Sequence, residues 1–215
     1  MTETTQVILI GIAGPSGSGK STYARHLVDY CHSPLTPIML DHFFTHSVSI
    51  DHPILGQIES WEPLECLNID GFFNLLKQLK TSPMISTDYH RKDININVNQ
   101  SIIIIVEGYL LFVLSDQITN LFDIKIFFNS SLNECRLRRF RRRHKISDDI
   151  SDENVSISNE FQQWFDHLVW NEYLKYRDQQ IQHADQIFSS NDYEQLDNYI
   201  FERLNNIRRK SASNY

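Results

Sequence analysis

A chain of 215 residues is long enough for one well-buried core and short for two. Its 41% hydrophobic content excludes a disordered chain, and its net charge of −7 argues against a general nucleic-acid binder, whose affinity comes mostly from neutralising phosphates. Cys31, Cys66 and Cys135 are dispersed and form no C-x-x-C pair, which argues against a disulfide framework or a zinc site and favours a reducing compartment.

Met1 to Thr5 carries no basic residue, and the apolar run behind it is short and gives way to glycines. Neither a signal peptide nor a membrane span is expected, and the expected location is cytoplasmic. Val7 to Ala13 is β-branched and almost wholly apolar, as a parallel strand buried on both faces requires. A glycine-rich loop follows, then a helix from about Lys20 to Tyr30. Pro34 and Pro37 break the chain before a short strand, Thr36 to Leu40, that ends at Asp41. Thr45 to Glu65 shows no clear period, although Pro53, Gly56 and Pro63 mark turns. Phe72, Phe73, Leu75, Leu76 and Leu79 lie at helical spacing.

Ile102 to Val106 is the strongest strand signal in the chain and ends at Glu107-Gly108. Asp123 to Phe128 is another apolar strand. A basic helix follows from about Leu132 to Lys145, and then an acidic, serine-rich stretch, Ile146 to Glu160, expected to be mobile. Phe161 to Ile181 reads as an aromatic-rich helix, and Ala184 to Phe188 as a last strand. Leu196, Ile200, Leu204 and Ile207 define one face of a C-terminal helix, with Ser190 or Asn191 as its expected cap. Strands and helices alternate, so the expected fold is α/β, a parallel sheet of about five strands with helices on both faces. One domain is expected over 1–215, with a lid over about 136–165.

Gly14-Pro15-Ser16-Gly17-Ser18-Gly19-Lys20-Ser21 matches G-x-x-x-x-G-K-[ST]. It stands between a strand and a helix, the context that phosphate binding needs. Backbone N–H groups freed by the glycines, together with the helix N-terminus, would cradle the phosphates of ATP. Lys20 would reach the β- and γ-phosphates, and the Ser21 hydroxyl would bind Mg²⁺. No Asn-Lys-x-Asp or D-x-x-G element of a GTPase switch occurs, and a motor or transporter ATPase needs more chain. A small-molecule kinase remains. Asp41 and Glu107 fall at strand ends, where ligands of parallel sheets bind. Asp41 could orient an attacking hydroxyl, and Glu107 could join Ser21 and Asp41 around the metal. Seven basic residues between Arg136 and Lys145 suit a lid that closes over ATP. A solvated helix face and a nucleic-acid patch are the alternatives.

Five segments in order resemble the uridine kinase / phosphoribulokinase family of P-loop kinases, and within it the nicotinamide riboside kinases. They are Gly14 to Thr22, Asp41-His42-Phe43-Phe44, Trp61-Glu62-Pro63-Leu64-Glu65, Val106 to Phe112, and Phe165 to Arg177. The last two are more like riboside kinases than uridine kinases proper. The resemblance implies a P-loop kinase fold with a helical lid and ATP-dependent phosphorylation of a nucleoside 5′-hydroxyl, most closely that of nicotinamide riboside. Uridine or cytidine is the alternative acceptor, and a catalytically silent nucleotide-binding module is the alternative of another class. Asp41 would be the base. Gly14, Ser16, Gly17, Ser18, Gly19, Lys20, Ser21 and Thr22 would bind ATP, joined by Arg138, Arg142, Ser189 and Asn191. Phe43, Phe44, Trp61, Glu62, Arg139 and His144 would meet the nucleoside with Asp41. Neither nucleic acid nor membrane is an expected partner, and the oligomeric state stays open.

Several positions depart from the family pattern. The paired acids after the second strand are here Asp41-His42. Glu62 stands for an Asp, Trp61 for a Tyr, and His144 for a second stacking aromatic. The stretch after the lid is longer than usual and lacks prolines. All of these fall on the acceptor side, where one methylene shifts specificity by roughly 10–200-fold.

Overall fold

The structure is a computed structural model that describes residues 6–82, 88–91, 101–147, 149–189 and 193–212. Five parallel strands form its sheet, in the order β2-β5-β1-β6-β7. They are β1 (Val7–Ala13), β2 (Ile38–Met39), β5 (Ile102–Gly108), β6 (Ile124–Phe128) and β7 (Gln186–Phe188). Every residue of β1 and β5 is buried, because helices cover both faces.

Side-chain alternation along these strands divides the core in two. Leu9, Ala13, Ile104 and Val106 face Phe72, Leu76 and Leu79 of helix α2 (Ile69–Thr81). Ile8, Ile10, Ile12, Ile103 and Ile105 face the opposite layer. There Tyr23, Leu27 and Val28 of α1 (Lys20–Tyr30) meet Leu196, Ile200 and Leu204 of α7 (Tyr193–Ala212). Gly11 interrupts the aliphatic run of β1 for a steric reason: a Cβ there would stand 2.8 Å from the Phe112 ring.

The predicted second strand is shorter than expected. Only Ile38 and Met39 pair with β5, and Asp41 sits in a 3-10 turn, Leu40–Phe43, just beyond them. The segment without a clear period contains an antiparallel hairpin, β3 (Val48–His52) and β4 (Gly56–Ser60). Each strand buries little, with Ile50 opposite Ile58, so its period-2 signal is weak. Gly56, at φ 70°, supplies the left-handed residue where the hairpin returns. A short helix, α3 (Asp116–Thr119), follows β5.

The basic helix is α4 (Leu132–His144), opened by a capping box of Ser131 and Glu134. Beyond it come α5 (Asn159–Trp164), a π-helical turn over Phe165–Trp170 and α6 (Asn171–His183), which form the predicted aromatic-rich helix. Cys135, Phe140, Phe161, Phe165 and Val169 pack into a third apolar cluster of their own. The stretch expected to be mobile is tied to this cluster. Ile146, Val155 and Ile157 pack against it. The buried Arg141 guanidinium donates to the carbonyls of Ser147 and Ile150 and to Asp152 Oδ1. The expected cap positions Ser190 and Asn191 lie outside the described residues.

Ile104 is fully buried at the centre of the sheet. Ile104→Ala removes three carbons from a site closed on all sides and should cost about 2–5 kcal/mol of stability, read as a lowered urea midpoint at unchanged m-value.

Candidate active site

The loop between β1 and α1 is built for an anion. Gly14, Gly17 and Gly19 have φ of 148°, 91° and 92°, so the peptide N–H groups between them can turn to one side. Two close approaches enforce the glycines. A Cβ on Gly14 would come within 2.6 Å of the Phe128 carbonyl oxygen, and one on Gly17 within 2.4 Å of that of Cys135. Gly19 caps α1 and no side chain does so, which leaves the positive end of the helix facing the loop. Ser18 Oγ is buried and has no hydrogen-bond partner among the described residues.

Lys20 is the first residue of α1 and is buried. Its Nζ lies 3.5 Å from the Pro15 carbonyl oxygen and 4.0 Å from Glu107 Oε2. Ser21 Oγ donates to Glu107 Oε1 at 2.8 Å. Glu107, only 2% exposed, therefore joins the ammonium and the hydroxyl on one carboxylate. A hydroxyl and a carboxylate are the hard oxygen donors that Mg²⁺ prefers. No cluster of three or more His, Cys, Asp or Glu that could hold a metal occurs among the described residues. An ion here would complete its shell with phosphate oxygens and water, as Mg²⁺ at ATP sites does.

Beside the loop lies a cleft of about 290 Å³. Ser16, Lys20, Asp41 and Arg139 line its phosphate end. Phe44, Trp61, Glu62, Tyr109 and Trp164 line the rest. The Phe44 ring packs edge-on to Trp61 at 6.1 Å and stacks against Tyr109 at 6.3 Å. The Tyr109 hydroxyl donates to the Glu62 carbonyl oxygen, and the Tyr109 carbonyl accepts from Gln180 Nε2 at 3.0 Å. Burial pushes the Glu62 carboxyl up to about 7, and the charges of Asp41 and Glu172 add to this against the pull of Lys20. Arg139 donates to Ser16 Oγ at 3.1 Å, and Arg138 lies 3.4 Å from the Ser18 carbonyl oxygen. Helix α4 thus already reaches the phosphate loop.

The description "Phosphoribulokinase / Uridine kinase family" matches residues 9–196. The chain belongs to this family. It is 28% identical over 170 residues to a uridine kinase of Saccharomyces cerevisiae, covering 74% of this chain and 32% of that protein. It is 27% identical over 176 residues to a uridine kinase of Ureaplasma parvum, covering 75% and 78%. The match thus spans about a third of the yeast protein's length. Two solved structures share its fold. A protein of Bacillus stearothermophilus described as a possible uridine kinase aligns with TM-score 0.51 and 19% identity, over 86% of this chain and 90% of that one. A protein of Silicibacter sp. TM1040 described as a fructose transport system kinase aligns with TM-score 0.54 and 13% identity, over 87% and 92%.

Within this family fold, not every residue expected at the site reaches it. Phe43 turns onto Phe72, 5.1 Å between ring centroids, and belongs to the core face. His144 does not line the cleft. Five residues on from Arg139, it points about 140° around α4 at 100° per residue. It packs on Phe140 at 4.3 Å and lines a neighbouring cavity with Ile54, Leu55 and Ile58. Arg142 is exposed and borders a shallow recess with Arg139, Arg143 and Trp164. Thr22 is exposed on α1, Ser189 is exposed after β7, and Asn191 lies outside the described residues. Six residues were missed, among them Glu59, Ser60 and Leu168 of the cleft lining. Tyr109 and Trp164 line the cleft, and the Tyr193 hydroxyl lies 3.6 Å from where a Cβ on Gly19 would stand. Tyr109 was legible as the residue after Glu107-Gly108; nothing in the spacing of Trp164 and Tyr193 separates them from packing aromatics.

The shift of Glu62 has a measurable consequence. Its ordinary value is 4.5 and its folded value about 7, so folding favours the protonated form. Its contribution to stability is complete below pH 4.5 and is lost as pH rises through 7. Glu62→Gln should therefore raise the melting temperature relative to wild type at pH 8, with the difference closing towards pH 4.5. Melting curves across that range check this.

Proposed function

We propose that the protein is an ATP-dependent nucleoside kinase whose acceptor is the 5′-hydroxyl of a pyrimidine riboside, with uridine first. The observation that carries this reading is that Lys20 and Asp41 line the same cleft, with an aromatic wall behind them. Membership of the family supports phosphoryl transfer, and the relatives named uridine kinases support the acceptor.

The chemistry follows from the geometry. The γ-phosphate of ATP rests on the loop amides and Lys20, and Arg138 and Arg139 approach from α4. Asp41 is exposed in the cleft and free to accept the proton of the attacking hydroxyl. Mg²⁺, held through Ser21 and Glu107 with Asp41 nearby, would neutralise the β- and γ-phosphate oxygens. Glu62 faces the ribose and base. The bond formed is between the 5′-oxygen and phosphorus, and the bond broken releases ADP. Because little covalent work falls to the protein, positioning and charge neutralisation do most of it.

A second reading takes nicotinamide riboside as the acceptor. Asp41, Glu59 and Glu62 line the cleft with the rings of Phe44, Trp61, Tyr109 and Trp164. Carboxylates and aromatic faces both attract a cationic pyridinium, which a pyrimidine base does not offer.

ADP release measured with uridine, cytidine and nicotinamide riboside separates the two. Uridine or cytidine should turn over fastest. A clear preference for nicotinamide riboside transfers the assignment to the second reading, and no ADP with any riboside removes the kinase reading altogether. Asp41→Asn should lower kcat by about 10²–10⁴-fold, the range for loss of a general base, at unchanged ATP affinity by calorimetry.

A further inference from the structure

Trp164 is the last residue of α5, and the π-helical turn Phe165–Trp170 begins directly after it. Such turns advance by more than four residues and re-aim the side chains around them. Trp164 is half-buried and, besides the recess it shares with Arg142, borders two spaces at once. One is the cleft that holds Lys20, Asp41 and Arg139. The other is the cavity between α4 and the hairpin, lined by Ile54, Leu55 and Ile58. The ring is therefore a partition and not part of a closed core.

Two guanidinium groups fix its position. Arg139 lies 6.0 Å and Arg143 5.2 Å from its ring centroid. They are four residues apart on α4 and so share a face of that helix. Arg139 also donates to Ser16 Oγ in the phosphate loop. Phe161, at 5.3 Å, and Phe165, at 6.3 Å, hold the ring from its own helix. One side chain thus links the phosphate loop, through Arg139, to the aromatic end of the cleft.

We infer that Trp164 is a specificity-determining residue of the acceptor site: it forms the lid-borne aromatic wall against which the planar base of the acceptor packs. The inference rests on the nucleoside kinase reading. A base against the ring shields the Arg139 and Arg143 contacts from water, which strengthens them. Acceptor occupancy and lid position are then coupled through one ring. The role the family pattern gives to residue 144 falls here to residue 164, on a different helix.

The full chain carrying Trp164→Leu or Trp164→Phe tests this. Trp164→Leu should raise KM for the preferred riboside by about 5- to 150-fold, the range for losing a base–aromatic stack. KM for ATP should stay close to wild type, and Trp164→Phe should recover most of the riboside affinity. An unchanged riboside KM, or parallel losses for riboside and ATP, overturns the wall and leaves the ring a packing residue. A folding-independent arm uses wild-type protein labelled with fluorotryptophan. The chain has three tryptophans, and Trp164→Phe identifies the resonance of Trp164. Saturating riboside without ATP should shift that resonance, and no shift overturns the inference. Wild-type protein that releases no ADP with any riboside removes the kinase reading and this inference together; active wild type with an indifferent Trp164→Leu removes the inference alone.

Discussion

The site depends on one buried carboxylate. Glu107 is reached by Lys20 Nζ at 4.0 Å and by Ser21 Oγ at 2.8 Å. A carboxylate taken out of water is costly unless charge and hydrogen bonds answer it. The parallel register of the two central strands supplies those answers. Ile12 pairs with Glu107 and Ala13 with Gly108, so the end of β5 lies level with the start of the phosphate loop. A slip of one residue would send the Glu107 side chain to the opposite face of the sheet. The largely aliphatic make-up of both strands resists that slip, because every position is buried and the two core layers differ in composition. Hydrophobic packing over seven residues thus sets the position of a catalytic-end charge.

The acceptor side is organised differently. Its residues come from the 3-10 turn after β2 and its cap, a hairpin with one buried residue in ten and the turn behind it, the residue after β5 and the junction of α5 with a π-helical turn. Tyr109 ties several of these together through Phe44, the Glu62 carbonyl and Gln180. Few of these elements bury much apolar surface of their own. The two ends of the cleft are therefore held by different forces: core packing at the phosphate end, and side-chain contacts such as those of Tyr109 at the other.

This division also explains what the sequence made legible. The phosphate loop, Glu107 and the five parallel strands follow from local rules: an apolar run, glycines at positions closed to a Cβ, and a helix behind them. The length of β2 and the hairpin were less readable. Ile38 and Met39 carry one buried residue between them, and the hairpin has Ile50 and Ile58 with polar neighbours. Phe43 and His144 were placed by resemblance, and tertiary packing sent both elsewhere, onto Phe72 and Phe140. Trp164 was hidden for the opposite reason. It stands in a dense aromatic run, and only the π-helical turn after it separates its direction from that of Phe165, which is fully buried. The family profile and the relatives settle the family, and the acceptor rests on these less legible residues.

The contact between Gly17 and Cys135 bears on how α4 is seated on the loop. With a Cβ at Gly17 the Cys135 carbonyl oxygen would be only 2.4 Å away, so the first turn of α4 lies directly on the phosphate loop. Were the far end, held through Arg141 and Arg143, to let go, the helix would turn as a lever with its fulcrum at the loop. At 1.5 Å rise per residue, Arg138 has an arm of about 4.5 Å and Arg142 one of about 10.5 Å. A tilt of about 10° would then carry Arg142 roughly 2 Å but Arg138 less than about 1 Å. The arginines along α4 are thus graded by reach: under such a tilt Arg138 stays beside the loop, and Arg142 moves about twice as far.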